Sequence, residues 1–428
     1  MARVIKAALL GAGTVGGGVY KLLERRKGEM QETCGAELEI RKILVRNAAK
    51  VRPGIPQEKY TEDFREILED PEIEIVIELM GGIEPARSYI EAALRAGKHV
   101  VTANKDLLAV HGFELAREAA QQKLDLRFEA AVAGGIPIVT PLMSCLEGND
   151  ITEVMGIVNG TTNYILTKMT NEGMDYADAL KEAQALGFAE ADPTADVEGL
   201  DAARKVAILA SLAFHSRVTF DDVETEGITK ISAKDIGYAR EMGYIIKLIG
   251  IARNVRGEIE VGVSPMMIPE RHPLASVNDS FNAVFLHGDA LDDAMFQGRG
   301  AGEFPTASAV VGDLIAVSRD ILVGSCGRIH LNPYKNLPLQ AKGEAEHRFF
   351  LRLRVEDRPG ILASVASVLG NNGVGISQVI QKARTEDTAE IVVITDRVQN
   401  RHMNDALTIF RGMSVIRSIP SIIRVYSA

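Results

Sequence analysis

The sequence predicts an α/β chain in three units: a doubly wound parallel sheet in the N-terminal third, an α+β unit in the middle, and a small βαββαβ unit at the C-terminus. Three observations carry this reading. Up to residue 130, short and nearly continuous apolar runs alternate with stretches of helical periodicity, as parallel strands covered on both faces require. At Gly134-Gly135-Ile136-Pro137 that alternation breaks, and longer helices and strands follow. After a polar stretch containing Pro333 and Pro338, six short elements close the chain in βαββαβ order, a ferredoxin-like plan. The length of 428 residues suits about two to four domains.

Taken in order, residues 4–10 form an apolar strand that ends in glycines, and 14–27 form a helix. Strands follow at 39–45 and 73–79, the latter closed by Gly81-Gly82. A helix over 85–96 stops at Gly97, a strand spans 99–102, a helix 113–122, and a last strand 125–130. In the middle unit, helices are expected at 137–146, 161–170, 176–186, 198–214 and 233–242, with strands at 151–158, 244–254 and 258–264. The helix-like stretch 305–323 is expected to pack back on the first unit. The final unit reads as strands 349–355, 376–383, 389–395 and 416–425, with helices 361–371 and 403–411. The boundaries are therefore 1–135, 136–303, a returning segment 304–328, a linker 329–347 and a C-terminal unit 348–428. There is no internal repeat and no low-complexity tract.

Composition narrows the function. The net charge of −10 leaves no basic surplus for neutralising phosphates, which argues against a nucleic-acid binder. No apolar run approaches about 18 residues, so no membrane partner is expected, and the chain runs directly into a strand rather than a leader. Cys34, Cys145 and Cys326 are scattered, without disulfide or zinc spacing. A cytoplasmic protein is expected.

Gly11-Ala12-Gly13-Thr14-Val15-Gly16 is a GxGxxG between a buried strand and a helix. Gly11 permits the tight turn, Gly13 lets a diphosphate approach the backbone, and Gly16 lets helix and strand pack closely. With Thr14 and Val15 opening the helix, its free N–H groups suit a dinucleotide in a Rossmann-like site, against the alternative of a structural glycine turn. The second strand ends in Leu44-Val45-Arg46-Asn47, not in a carboxylate. Arg46 can grip a 2′-phosphate that a carboxylate would repel, so NADP is favoured, with NAD accepted; the alternative is a solvated arginine.

Lys105, in Thr102-Ala103-Asn104-Lys105, follows the fourth strand, at the carboxyl edge where ligands of such sheets bind. Residues 187–201 crowd five carboxylates around the start of a helix. Asp192, Asp196 and Glu198 read as helix N-terminal charges. Asp201 and Lys205 stand four apart on one helix face. They form either a surface ion pair or an amino-acid site, with carboxylates for an ammonium and a lysine to move a proton.

These segments, with FEAAVAGGIP (128–137), NGTTNYI (159–165), GFAEADPTADVEGLDAARK (187–205) and GRGAGEFPTASAVVGDL (298–314), resemble homoserine dehydrogenase of the single-activity type with a C-terminal ACT domain. The matching motifs span residues 1 to 330 in order. The resemblance implies reversible, NAD(P)H-dependent reduction of L-aspartate 4-semialdehyde to L-homoserine, within threonine, methionine and isoleucine biosynthesis. It makes Lys205 the proton donor, places Lys105 beside substrate and nicotinamide, and gives Glu190 and Asp201 to the amino acid. Gly187 and Gly302 would line the cofactor, and Glu129 with the carbonyls of Val132, Gly134 and Ile136 would hold sodium. The middle unit would both bind substrate and support a homodimer or homotetramer. In the last unit, Asp357-Arg358-Pro359-Gly360-Ile361-Leu362 resembles the ACT pattern, with L-threonine the leading effector at Asp357, Gly360 and Ile361. A chain ending near Asn336 is expected to keep catalysis. Two other classes stay open: an oxidoreductase for another semialdehyde, and a non-catalytic amino-acid sensor, although such a sensor should have lost one of Lys105, Glu190, Asp201 or Lys205.

Overall fold

The structure, a computed structural model, describes residues 3–328, 331, 333–385 and 388–427. Strands β1 (Val4–Leu10), β2 (Glu37–Leu44), β3 (Tyr60–Thr61), β4 (Ile73–Glu78), β5 (His99–Thr102) and β6 (Leu126–Arg127) form one six-stranded sheet in the order β3-β2-β1-β4-β5-β6, every pair parallel. The sequence of β1 explains its central place. Ile5, Ala7 and Leu9 enter one core with Val19 and Leu23, while Ala8 and Leu10 enter the other with Ile90 and Leu94. A strand buried on both faces must be apolar almost throughout. The strand order reverses between β1 and β4, which opens a crevice at their carboxyl ends.

Helix Glu303–Val323 returns to this unit, and its Ala307, Val310, Val311, Leu314 and Val317 share a core with Val19, Leu22 and Leu23 of helix Thr14–Arg25. Close approach is possible because residue 18 is glycine: a Cβ there would come 2.8 Å from Glu303 Cγ and 3.2 Å from Ala307 Cβ.

The remaining strands form a second sheet. It contains β7 (Ile151–Ile157), β8 (Glu224–Thr225), β9 (Tyr244–Val255), β10 (Glu258–Pro269), β11 (Phe281–Gly288) and β12 (Asp292–Arg299) from the middle unit. The C-terminal unit adds β13 (Glu346–Glu356), β14 (Ile376–Thr385), β15 (Thr388–Thr395), β16 (Val398–Gln399) and β17 (Ile416–Val425). The path runs β12-β11-β7-β9-β10-β17-β13-β15-β14, with β8 beside β10 and β16 beside β13. Helices Gly160–Glu172 and Leu200–Phe214 lie on the middle part, and Ile361–Asn371 and Asn400–Gly412 on the C-terminal part.

Several elements differ from the sequence reading. The hairpin β11–β12 was absent from it, because β12 alternates exposed and half-buried residues and carries two aspartates. Residues 137–146 form only a short turn of helix at Pro141–Cys145, and the last parallel strand shrinks to Leu126–Arg127. The stretch read as a linker is pinned at several of its described residues; 329, 330 and 332 lie outside the described residues. Ile259 N donates to Pro338 O at 2.8 Å and Gln340 N to Ile259 O at 2.8 Å, while Tyr334 stacks on His215.

The C-terminal unit is likewise not an independent bead. Strand β17 pairs in parallel with β10 through Met266↔Arg424 and Met267↔Val425, so one sheet spans both units. Between them, Arg352 donates to Asp235 at 2.8 Å and to Glu390 at 3.4 Å, and Glu390 accepts from Tyr238 at 2.8 Å. The Asp235 side chain is 0% exposed. A chain ending near Asn336 would strip the partner from β10 and the guanidinium from Asp235, so the expectation that it keeps catalysis lacks the folding boundary it relied on.

Removing one partner of a buried pair leaves the other charge uncompensated. Arg352→Ala should therefore cost about 3 kcal/mol of stability, read as a lower midpoint in urea unfolding followed by circular dichroism. An unchanged midpoint would mean that this pair does not fasten the two units.

Candidate active site

The crevice at the carboxyl edge of the first sheet deepens into a cleft of about 840 Å³ between that sheet and the helices of the middle unit. Of the residues singled out from sequence, Val15, Lys105, Gly134, Gly187, Glu190, Asp201, Lys205 and Gly302 line it. Gly11, Gly13, Thr14 and Gly16 form the adjoining turn, and Arg46 is exposed just past the end of β2. Glu129, Val132 and Ile136 are buried in the segment that includes Gly134. Asp357, Gly360 and Ile361 stand in the C-terminal unit and do not line this cleft.

At the centre of the cleft is one carboxylate with two lysines. Asp201 Oδ2 accepts from Lys205 Nζ at 2.7 Å, and Asp201 Oδ1 lies 3.3 Å from Lys105 Nζ. Lys205 Nζ also donates to Val158 O at 2.7 Å, which uses two of the three N–H bonds of an ammonium. Asn159 Nδ2 donates to Asp201 Oδ2 at 3.0 Å and to Asp196 Oδ1 at 2.6 Å. Burial pushes the Asp201 carboxyl up, but Lys205 and Lys105, with hydrogen bonds from Lys205 and Asn159, outweigh it. They hold the group well below the ordinary carboxylate range. The Asp201 and Lys205 side chains are 13% and 12% exposed, against 35% for Lys105, so this is not a solvated surface pair.

Local sequence explains each position. Gly199, at φ +80°, turns the chain into helix Leu200–Phe214, and a Cβ there would crowd Thr225 and Val263 at 3.1 and 3.2 Å. Asp201 then falls in the first turn and Lys205 one turn on. Lys105 opens helix Lys105–Gln121, whose cap Asn104 accepts from Leu107 N at 3.1 Å and donates to Gly82 O at 2.7 Å. Asn159 caps helix Gly160–Glu172 through Thr162 N at 2.9 Å. Glu190 is exposed on the loop after helix Tyr176–Ala185, a loop held where Thr161 Oγ1 donates to Phe188 O at 2.7 Å.

The glycine turn has the shape that a dinucleotide needs. Gly11 sits at φ +100°, and a Cβ on Gly16 would come 2.2 Å from Gly11 O. A Cβ on Gly13 would meet nothing within 4 Å, so open space lies beside the N-terminus of helix Thr14–Arg25, which has no side-chain cap. Uncapped N–H groups facing open space fit an anion.

Behind the cleft, the Glu129 carboxylate accepts from the backbone N–H groups of Ile138, Val139 and Thr140 at 2.6, 2.8 and 2.8 Å. The carbonyls of Val132, Gly134 and Ile136, on buried residues, accept no hydrogen bond among those found in the described residues. Oxygen atoms without donors in a buried segment fit a hard cation, whereas the Glu129 side chain is already committed to amides. Asp313, fully buried, accepts from Glu129 N at 2.8 Å. Burial pushes its carboxyl up to about 7; the amide hydrogen bond opposes this, and the Glu129 charge adds to it.

In the C-terminal unit, Gly360 at φ +88° leads into helix Ile361–Asn371, with no side-chain cap hydrogen bond at that end.

Sequence reasoning passed over Asn282 and Arg299, and it quoted Asn159 and Thr161 without giving them a task. All four line the cleft. Asn159, in Asn159-Gly160-Thr161-Thr162 after an apolar strand, carries a helix-cap signal that could have been read; Asn282 and Arg299 sit in the overlooked hairpin.

Comparison with known proteins agrees with this architecture. Residues 11–129 match the NAD-binding domain of homoserine dehydrogenase, 137–315 the homoserine dehydrogenase family, and 349–411 the ACT domain. A homoserine dehydrogenase of Corynebacterium glutamicum is 47% identical over 424 residues, covering 98% of this chain and 95% of its own. The crystal structure of a homoserine dehydrogenase from Thiobacillus denitrificans superposes with a TM-score of 0.94 at 40% identity, covering 100% of both chains. A hyperthermophilic archaeal homoserine dehydrogenase in complex with NADPH gives a TM-score of 0.63 at 26% identity, over 74% of this chain and 98% of that one. With its dinucleotide turn, its lysine–carboxylate cleft and its ACT unit, the chain belongs to the homoserine dehydrogenase family of NAD(P)-dependent oxidoreductases.

Proposed function

We propose that this cleft interconverts L-homoserine and L-aspartate 4-semialdehyde with NADP(H), with Lys205 as proton donor to the aldehyde oxygen. The observation that carries this is the buried Asp201 carboxylate joined at 2.7 Å to Lys205 and at 3.3 Å to Lys105 inside the dinucleotide cleft. The Lys205 ammonium keeps one N–H beyond Asp201 and Val158, and that bond meets the oxygen on which negative charge develops. Lys105 lies beside the reacting carbon. Asp201 holds the two cations in register and, with the exposed Glu190, faces the amino acid's ammonium. In the reverse direction Lys205 receives the hydroxyl proton.

When bound, the nicotinamide supplies or takes the hydride. The turn at Gly11, Gly13 and Gly16 and the first N–H groups at Thr14 and Val15 hold its diphosphate, with Gly187 and Gly302 along the cleft. Arg46 meets the 2′-phosphate, and the archaeal relative bound to NADPH supports that choice. A sodium ion would sit on the carbonyls of Val132, Gly134 and Ile136 together with Glu129, bracing the segment behind the cleft. The turn at Asp357, Gly360 and Ile361 offers backbone donors to an effector carboxylate, and we assign it to L-threonine, which would make the enzyme feedback-regulated in threonine, methionine and isoleucine biosynthesis. An effector site completed across paired ACT units requires a homodimer or homotetramer, acting in the cytoplasm.

The direct test is NADPH oxidation with L-aspartate 4-semialdehyde, with and without L-threonine, in sodium and in tetramethylammonium buffer, with mass by light scattering. Turnover is expected, inhibited by threonine and slower without sodium, and Lys205→Ala should lower kcat by about 10²-fold with cofactor affinity unchanged. No turnover would remove the activity, turnover indifferent to threonine would remove the effector, and near-normal kcat in Lys205→Ala would remove Lys205 from the chemistry.

Cofactor choice has its own test. Arg46→Asp replaces a phosphate fork with a repelling carboxylate, so kcat/KM should fall by about tenfold or more for NADPH and much less for NADH. Equal losses for both cofactors would mean that Arg46 does not read the 2′-phosphate.

A further inference from the structure

Lys247 lies in the middle of β9 and is 1% exposed, a position that ordinarily takes an aliphatic side chain. Its Nζ donates to three acceptors: Val277 O at 2.6 Å, Asn163 Oδ1 at 3.0 Å and Asn278 Oδ1 at 3.2 Å. Three acceptors match the three N–H bonds of an ammonium; a neutral amine has two. Burial drives the pKa of this amine down to about 8, with the Asp279 carboxylate opposing the shift. Keeping a charge here costs stability, so what the charge holds matters.

It holds part of the cleft wall. Asn163 belongs to helix Gly160–Glu172, and its Nδ2 donates to Val277 O and Phe281 O, both at 3.1 Å. One turn on, Thr167 Oγ1 accepts from Asp279 N at 3.1 Å. Segment 277–281 is thus fastened to a helix whose first residues, Gly160 and Thr161, line the cleft, and the same segment leads through Ser280 into Asn282, which line it too. The fit tolerates little movement. A Cβ on Gly160 would come 2.8 Å from Ser280 O, and one on Gly300 would come 2.0 Å from Asn282 Nδ2. Asp279 sits at φ +56°, a left-handed conformation uncommon outside glycine, for which aspartate is among the better suited side chains.

We propose that Lys247 is a positioning residue for the homoserine reaction: its ammonium, bonded at once to Asn163, Val277 and Asn278, fixes segment 277–282 against the helix and so sets the cleft wall at Ser280 and Asn282. This rests on the homoserine turnover proposed above. Losing one proton releases one of the three acceptors and loosens the wall, so substrate binding weakens as the amine titrates. Asp279, on the held segment, is the charged side chain acting on Lys247; Asn163 on the helix, Asn278 on the loop and Met266, its partner on β10, are neutral.

The test is kcat and KM for L-homoserine from about pH 6.5 to about pH 9.5, on the whole enzyme, Lys247→Met and Asn278→Ala. In the wild type, KM should rise as pH passes the titration range of the amine. Lys247→Met should have KM raised by about tenfold at neutral pH with that rise gone, and Asn278→Ala by about threefold with the rise kept. A folded Lys247→Met enzyme with wild-type KM and profile overturns the proposal. Should that variant fail to fold, Asn278→Ala decides: wild-type KM across the range overturns it, and the intermediate rise supports it. A wild type that does not oxidise homoserine would remove the activity itself and this proposal with it.

Discussion

The arrangement of the cleft depends on one buried carboxylate. Asp201 draws Lys205 from its own helix, Lys105 from the nucleotide-binding unit and Asn159 from the cap of a third helix onto two oxygen atoms. Its burial would be costly alone, and two cations with an amide make it favourable. Because Lys105 and Lys205 come from different units, the same ion cluster also ties the units to each other across the cleft. Geometry of this kind is useful catalytically only if it is in place before substrate arrives, which is what a pre-formed, poorly solvated ion cluster supplies.

A second constraint comes from the shared sheet. The C-terminal unit continues the strand path of the catalytic unit, with β17 beside β10 and β10 beside β9. Met266 pairs with Arg424 on one side and with Lys247 on the other. The strand that carries Lys247 is thus hydrogen-bonded, through β10, to a strand of the ACT unit. The Arg352–Asp235 pair adds a buried polar fastening beside it.

How much of this was legible in the sequence follows from how local each feature is. The GxGxxG turn and the Asp201–Lys205 spacing are set by residues a few positions apart, so sterics and helix periodicity disclose them, whereas the Asn104 cap went unread because the helix is expected only from 113 but starts at Lys105. The two-faced burial of β1 likewise leaves a continuous apolar run. Lys247 is the opposite case. In sequence it is a charged residue inside an apolar strand, and its three acceptors come from segments far along the chain. Arg299 was hidden because β12 faces solvent and offers no apolar alternation, and Asn282 because the short apolar run of buried β11 was not read as a strand. The stretch 333–345 looked like a tether because polarity and proline are the only local signals there, while its backbone partner, Ile259, is distant. The commitment of the Glu129 carboxylate to three amides could not be read from motif position either.

The central claim is that the Asp201 charge organises the reacting lysines, and Asp201→Asn tests it most directly, since the amide keeps size and removes charge. Steady-state kinetics with L-homoserine and NADP, alongside the thermal midpoint and NADPH affinity, should give a kcat/KM lowered by about 10²-fold or more, with cofactor affinity close to wild type and a lower midpoint, since Lys205 then stands beside an uncharged amide. A folded Asp201→Asn enzyme that keeps kcat/KM within about threefold of wild type would contradict the account.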